Sequence, residues 1–366
     1  MISFYLLWTG CYVVLLSRLS EKWLKFKPKA TISKEFPSVT LLIPFRNELG
    51  NLPDLVKEFS KIDYSELRII LVDDHSEDGS FDFLLEKFHS DHRVRILQSP
   101  GVGKKEAIEF GLDAADSELI LCSDADCSFS KVWVKEMVTP FSDPKVQFVA
   151  GPVISIGRTH FFQRFQQIEW SSILLLTQYF FSQKRPLMCS GANLCYRKSA
   201  FEAVQGYDQN RQHLSGDDEF LLKKISAHFG GQSCVYLPFL ENLVYTKPQE
   251  SFSSLLNQRI RWAGKWKVHR DLVHALSAFF SFLIQVIWVG TVFLLSLGSF
   301  GVLTFFTVWA VKVLSERRTM GKVLRGFELD FSLIDFLKTG IIHPIYVIFV
   351  GLGAVRGKFT WKGRSN

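Results

Sequence analysis

Leu67–Asp74 reads LRIILVDD, an almost unbroken apolar run closed by two carboxylates and followed by the turn Ser76-Glu-Asp-Gly79. A run of Leu, Ile and Val this short, bounded by turn residues, predicts a strand buried on both faces. Val39–Phe45 (VTLLIPF) has the same form upstream and ends in Pro44 and the polar Arg46-Asn47-Glu48. Val94–Gln98 (VRILQ) and Glu118–Asp126 (ELILCSDAD) repeat it downstream. Between the first two lies Asn51–Ile62, with Leu52, Leu55, Val56 and Phe59 at helical spacing. Buried strands alternating with helices indicate an α/β domain with a mostly parallel sheet. Such sheets bind ligands beyond the carboxyl ends of their strands. There Arg46, Asn47, Glu48, Asp73, Asp74, Asp124 and Asp126 gather.

Asp124-Ala125-Asp126 is expected at a strand end, where alternation would turn residues two apart the same way, toward one ion. Hard oxygen donors suit Mg2+ or Mn2+, which keep waters and bridge to substrate phosphates. On a surface loop the same DxD is only a solvated turn. Gly101-Val-Gly103-Lys-Lys-Glu106 lacks the third glycine of a dinucleotide fingerprint. It also misses the phosphate-loop pattern, because position 98 is Gln and Lys105 follows Lys104. Neither a dehydrogenase nor a phosphate-loop ATPase is expected.

Outside the α/β block the chain changes character. Of its 366 residues 47% are hydrophobic and 22% charged, which excludes a disordered chain. The apolar excess is concentrated at the two ends. Met1–Ser17 is uncharged and spans about 25 Å as a helix, the lower limit for crossing a bilayer. Its positive charge follows it, at Arg18, Lys22, Lys25, Lys27 and Lys29, which predicts an uncleaved anchor with residue 18 onward cytoplasmic. Leu272–Val311 holds no Asp, Glu, Lys or Arg and reads as a membrane hairpin turning within Ser296–Gly301. Ser315–Gly326 reads as a basic inner loop. Thr339–Val355 either crosses fully or re-enters, in the second case with Phe331–Lys338 along the surface. The expected division is therefore 1–29 anchor and basic flank, 30–270 cytoplasmic domain and 271–366 membrane region, in a multi-pass protein of the cytoplasmic membrane. The net charge of +7 sits beside the apolar segments and does not form a nucleic-acid stripe, so no nucleic-acid partner is expected.

Assembled in order, these segments resemble the family 2 glycosyltransferases, membrane-associated enzymes of the GT-A fold. Thr40–Glu48 (TLLIPFRNE) is similar to the family's opening strand, and Leu71–Ser80 (LVDDHSEDGS) to its VDDxSxDGT segment. Gly103–Leu112 (GKKEAIEFGL) resembles GKxxALNxGL, with Ile108 and Glu109 in place of Leu-Asn. Ser123–Phe129 (SDADCSF) matches the DxD segment, Ser190–Phe201 (SGANLCYRKSAF) looks like the acceptor-side GxN strand, and Leu214–Leu222 (LSGDDEFLL) like the catalytic acidic segment. Gln258–Trp262 (QRIRW) matches QxxRW. The resemblance implies nucleotide-sugar binding by Pro44, Arg46, Glu48, Asp73, Asp74, Lys104 and Asp124. It also implies a divalent metal, Mg2+ or Mn2+, on Asp126 with Asp124, and an acceptor side at Gly191 and Asn193. Where the family has Glu-Asp, this chain has Gly216-Asp217-Asp218-Glu219, so Asp217 is aligned as the base with Asp218 as the alternative. The Gly-Asp-Asp form resembles the ceramide glucosyltransferase branch.

A base on the face opposite the leaving diphosphate implies one displacement with inversion. Gln258, Arg261 and Trp262 stand at i, i+3 and i+4, hence on one helical face. Arg261 suits a diphosphate and Trp262 an acceptor sugar or lipid headgroup. The same segment, with Arg259, Lys265, Trp266 and Lys267, also reads as an interfacial helix. Phe161–Gln183 reads equally as a surface element or a buried helix. His213 reads as structural, and Cys122, Cys127, Cys189, Cys195 and Cys234 as reduced thiols without metal spacing. The expected function is transfer from a nucleotide-sugar donor to a lipid or glycan acceptor. A processive polysaccharide synthase is the alternative; its pore would need further helices from a partner subunit or second copy. A catalytically silent membrane scaffold is the alternative of another class.

Overall fold

The apolar runs form the first strands of a seven-stranded sheet: β1 (Val39–Phe45), β2 (Leu67–Asp73), β3 (Val94–Gln98) and β4 (Leu119–Cys122). The computed structural model describes residues 1–23, 37–157, 160–211, 216–264 and 272–356, with backbone only at 360–361 and 364–365. Beyond β4 come β5 (Ser128–Phe129), β6 (Phe148–Ala150), β7 (Val153–Ser155), β8 (Leu194–Arg197), β9 (Cys234–Tyr236) and β10 (Val244–Thr246). The large sheet runs β3-β2-β1-β4-β8-β6-β9, and β5-β10-β7 form a small second one. The first four strands pair in parallel, β8 is antiparallel to both neighbours, and β6 and β9 are parallel. Every residue of β1 is buried, as its continuous apolar run demands.

Helices alternate with the strands and continue beyond them at both ends of the chain. In chain order they are α1 (Ile2–Glu21), α2 (Leu52–Lys61), α3 (Ser80–Lys87), α4 (Lys104–Asp113), α5 (Trp133–Val138), α6 (Phe161–Ser182), α7 (Lys198–Ala203) and α8 (Asp217–Phe229). They continue with α9 (Phe252–Ala263), α10 (Leu272–Gly290), α11 (Gly298–Gly326) and α12 (Leu333–Arg356). Ala107, Ile108 and Leu112 of α4 share a core with Leu42, Ile70 and Val72 of the sheet. The chain leaves β1 toward β2 on one side and returns as β4 on the other. A crevice opens at such a reversal, beyond the strands' carboxyl ends. Residues 46–48 and 123–126 follow β1 and β4 at that reversal.

Two compact units emerge from the packing. The sheet unit comprises Leu24–Ile156 and Phe180–Lys247; the helical unit comprises Met1–Trp23, Gly157–Tyr179 and Pro248–Asn366. Most of α6 and all of α9 are thus grouped with the terminal helices.

In the helical unit, α1, α10 with its extension to Ser296, α11 and α12 are long and apolar enough to cross a membrane. Tyr5, Tyr12, Leu16, Trp288, Leu294 and Val308 pack inward, while Leu7, Phe293, Phe300, Leu303, Phe306 and Phe349 are exposed. An apolar surface of this extent suits lipid. The chain reverses at Leu297, within the expected turn. The expected loop at 315–326 is a correction: those residues continue α11. Thr319, Met320, Val323 and Leu324 keep helical spacing there and bury one face, while Arg317, Arg318 and Arg325 are exposed. Nor does a separate surface segment precede the last apolar run, since Leu333–Arg356 is one helix with Pro344 inside it.

The polar interior of this unit rests on an ion pair. Glu169 of α6 takes Arg259 of α9 bidentately, Nε to Oε1 at 2.7 Å and Nη2 to Oε2 at 2.6 Å, with side chains only 7% and 4% exposed. Burial works against the Arg259 charge, and the Glu169 carboxylate more than offsets it. Removing one partner strands a buried charge, whereas removing both does not. Glu169→Leu should therefore cost about 3–5 kcal/mol of stability in detergent-solubilised protein, and Glu169→Leu/Arg259→Met much less. Equal losses in the single and double variants would refute that reading.

Candidate active site

Three segments far apart in sequence converge in the sheet unit. Lys104 opens α4, Asp124 follows β4 and Asp217 opens α8. Lys104 Nζ donates to Asp124 Oδ1 at 2.7 Å and lies 3.3 Å from Asp217 Oδ2. Burial alone would lower the lysine's pKa, but Asp124, Asp217 and Asp218 outweigh it and hold the ammonium charged well above its usual range. Gly191 borders the same point: a Cβ there would stand 3.0 Å from Asp217 Oδ2 and 3.3 Å from Lys104 Nζ. A side chain there would press these groups aside by a few tenths of an ångström.

The acidic pair of α8 divides its work. Asp218 Oδ2 accepts from Gly191 N at 3.0 Å, and its Oδ1 accepts from Glu219 N at 2.8 Å. Asp217 instead presents an oxygen to Lys104. Residues 212–215, including His213, lie outside the described residues.

The DxD segment is built differently from the expectation. β4 ends at Cys122, so Asp124 and Asp126 lie in the following turn, closed by Cys127 N to Asp124 O at 3.3 Å. Strand alternation therefore does not orient them. Instead Thr246 of β10 donates its hydroxyl to Asp126 Oδ2 at 2.9 Å. Burial, then the charge of Asp124, pushes the Asp126 carboxyl upward, with Glu48 adding to the effect and the Thr246 hydrogen bond opposing it. Crowded carboxylates of this kind suit a cation. No group of three or more His, Cys, Asp or Glu forms a metal cage among the described residues. Two carboxylates fit an ion that takes its other ligands from water and substrate phosphates.

The other residues expected on the nucleotide side lie at and just past the ends of β1 and β2. Asp73 and Asp74 are buried at the end of β2. Asp73 accepts from Ser76 N at 3.1 Å, and Asp74 Oδ1 from Gly103 N at 2.7 Å. Burial raises the Asp74 pKa, while the Gly103 N–H and the Arg46 charge pull it down. Asn47 and Glu48 tie the end of β1 to the same turn: Glu77 N donates to Asn47 Oδ1 at 2.8 Å and Glu48 N to Ser80 Oγ at 2.9 Å. Pro44 pairs in register with Val72, buried inside the sheet.

Asn193, expected on the acceptor side, is held by three side-chain hydrogen bonds. It is fully buried, donating through Nδ2 to Pro152 O at 2.8 Å and Asn242 O at 2.7 Å. Its Oδ1 accepts from Trp133 Nε1 at 3.0 Å. The side chain braces the strand behind Gly191. Thr246 and Trp133 carried no sequence signal, because their partners come from distant segments. The cysteines at 122, 127, 189, 195 and 234 are free thiols, and burial pushes Cys122 up to about 12.

Gln258, Arg261 and Trp262 belong to α9 in the helical unit. There Trp262 stacks on the Arg259 guanidinium at 4.2 Å and meets Trp170 edge-on at 5.6 Å. Gln258 Oε1 accepts from Arg259. Arg259 thus fixes two motif side chains at once. Lys265, Trp266 and Lys267 lie outside the described residues.

Residues 40–205 match the profile of glycosyl transferase family 2. The chain is 23% identical over 284 residues to the poly-beta-1,6-N-acetyl-D-glucosamine synthase of Staphylococcus aureus (strain MSSA476), a match covering 73% of this chain. The Staphylococcus epidermidis protein of the same name is 24% identical over 233 residues, 63% of this chain and 55% of its own length. The S. aureus match spans 66% of that relative's length, just under two thirds. A mannosyltransferase from Pyrobaculum calidifontis, solved in complex with GDP-Man and Mn2+, superposes over 96% of both chains at TM-score 0.61 and 15% identity. The fold is therefore of the GT-A type.

The bracing role of Asn193 has a measurable consequence. Asn193→Ala leaves the Asn242 carbonyl and the Trp133 indole N–H buried without this partner, while Pro152 O keeps the Val244 N–H, and should cost about 2–4 kcal/mol. Denaturation midpoints check this. Unchanged stability with abolished activity would instead make Asn193 a substrate contact.

Proposed function

We propose, from the match of residues 40–205 to glycosyl transferase family 2, that the chain moves a sugar from a nucleoside-diphosphate sugar to a hydroxyl of a lipid-linked or glycan acceptor, with inversion. The observation that carries this is the meeting of Asp124, Lys104 and Asp217 within 2.7 and 3.3 Å of one ammonium. Transfer requires a cation where a diphosphate departs and a base where a hydroxyl loses its proton. Lys104 offers the first and Asp217 the second. Asp217 is favoured over Asp218, whose two carboxylate oxygens each take a backbone N–H.

In this reading Asp73 and Asp74, braced by backbone N–H groups, hold the nucleoside, with Pro44, Arg46 and Glu48 beside them. Asp124 and Asp126 would hold a divalent ion, Mg2+ or Mn2+, which supplies charge neutralisation to a leaving diphosphate. Arg261 is assigned to the diphosphate and Gln258 and Trp262 to the acceptor, on the strength of the QxxRW match. Four helices long and apolar enough to cross a membrane support a membrane-bound enzyme, and the basic residues following α1 favour a cytoplasmic catalytic domain. A second reading, processive synthesis of a polysaccharide, is favoured by the likeness to the staphylococcal synthases.

One assay tests both. Detergent-purified protein with Mn2+ or Mg2+ and labelled nucleotide sugars should label a lipid or short glycan, or under the second reading a high-molecular-mass polymer. Asp217→Asn should lower turnover by about 10²-fold or more. Full activity in Asp217→Asn with loss in Asp218→Asn would reassign the base.

A further inference from the structure

Lys312 is the charge with the least obvious reason to exist. It lies on α11, one of the apolar helices, and is 1% exposed. An ionisable group inside a membrane bundle is costly unless it is paired and used. Its Nζ stands 2.7 Å from Glu316 Oε1 one turn on, and Tyr12 of α1 donates its hydroxyl to the same oxygen at 2.7 Å. The ammonium also faces the rings of Trp288 and Trp309, at 5.5 and 5.4 Å. Its remaining contact is to backbone: Nζ donates to Gly340 O of α12 at 3.3 Å.

That carbonyl belongs to a particular place in α12. Pro344 has no N–H, so the oxygen four residues earlier, on Gly340, has no helical donor. A proline inside a spanning helix is tolerated where a neighbour satisfies the freed group. Here the neighbour is Lys312, and Gly340 has no side chain to hold α11 away. Pro344 also divides the helix by task. Before it, Phe336 and Thr339 are buried. After it, Tyr346 and Val350 pack with Leu255 of α9, and Gly353 leaves no room for a side chain beside Ile260. Tyr346 donates to Glu169 Oε1 at 3.4 Å, on the carboxylate that holds Arg259. The second half of α12 is thus the seat of the helix that carries Gln258, Arg261 and Trp262.

We propose that Lys312 is a positioning residue for the QxxRW helix: by satisfying the Gly340 carbonyl freed by Pro344 it fixes the joint in α12, and through it the seat of α9. The link to turnover rests on the function proposed above; the mechanical claim does not.

The test exploits the proline. Lys312→Met/Glu316→Gln removes the donor without stranding a charge. Adding Pro344→Ala returns an N–H to the Gly340 oxygen and should make Lys312 dispensable. Spin labels at two exposed positions, Asn257 of α9 and Leu314 of α11, with Cys11→Ser, report the joint independently of catalysis. The double variant should broaden or shift the label distance and lower kcat about tenfold, with donor KM within about twofold. The triple variant should restore both. An unchanged distance in the double variant would overturn the proposal. So would a triple variant that fails to assemble or to recover the distance. Wild-type protein that transfers no sugar would defeat the functional reading alone, since the label distances still decide this one.

Discussion

One lysine stands between carboxylates that would otherwise repel one another. Lys104 meets Asp124 and Asp217 at the edge of the sheet, and Asp218 adds to the same field. Those residues lie at the starts of α4 and α8 and just after β4, so the arrangement exists only if the sheet is correctly ordered. The reversal of strand order between β1 and β4 opens the crevice, and the antiparallel β8 brings Gly191 to its rim. The small neighbours follow from this crowding. A Cβ at Gly191 would crowd Asp217 and Lys104, and Asn193 is buried two residues further along.

Much of this could be read from sequence because buried parallel strands announce themselves. Val39–Phe45 and Val94–Gln98 match the observed strands end for end, and Leu67–Asp74 differs by one residue. Periodicity also placed α2, within a residue at each end. The DxD segment was harder. Its apolar lead-in resembles a longer strand, yet the chain turns after Cys122, and only the hydroxyl of Thr246, from a short distant strand, shows what orients Asp126. Asn193 carries a related ambiguity. A polar residue in a motif reads as a ligand contact until its partners, Pro152, Asn242 and Trp133, are seen to use every polar atom it has.

The apolar ends show the converse limit. Hydropathy located the helices but not their internal chemistry. The charges of 315–326 read as a loop, whereas their helical spacing lets the arginines face outward and the apolar side chains inward. Glu169 and Arg259 are separated by 90 residues, and neither sequence neighbourhood betrays the pair. Pro344 and Lys312 are likewise intelligible only together, as a missing N–H and a replacement donor. In both cases a polar group survives among apolar helices because its partner is fixed by tertiary packing.

The proposed function requires a nucleoside diphosphate to bind beyond β1 and β4 through a divalent cation. Equilibrium binding of nucleoside diphosphates to the purified full chain, by calorimetry with and without Mn2+, tests it without any need to know sugar or acceptor. The account predicts metal-dependent binding of at least one of them, weakened in Asp126→Asn and in Lys104→Met. No binding of any nucleoside diphosphate, or binding indifferent to both the metal and Asp126, would contradict it.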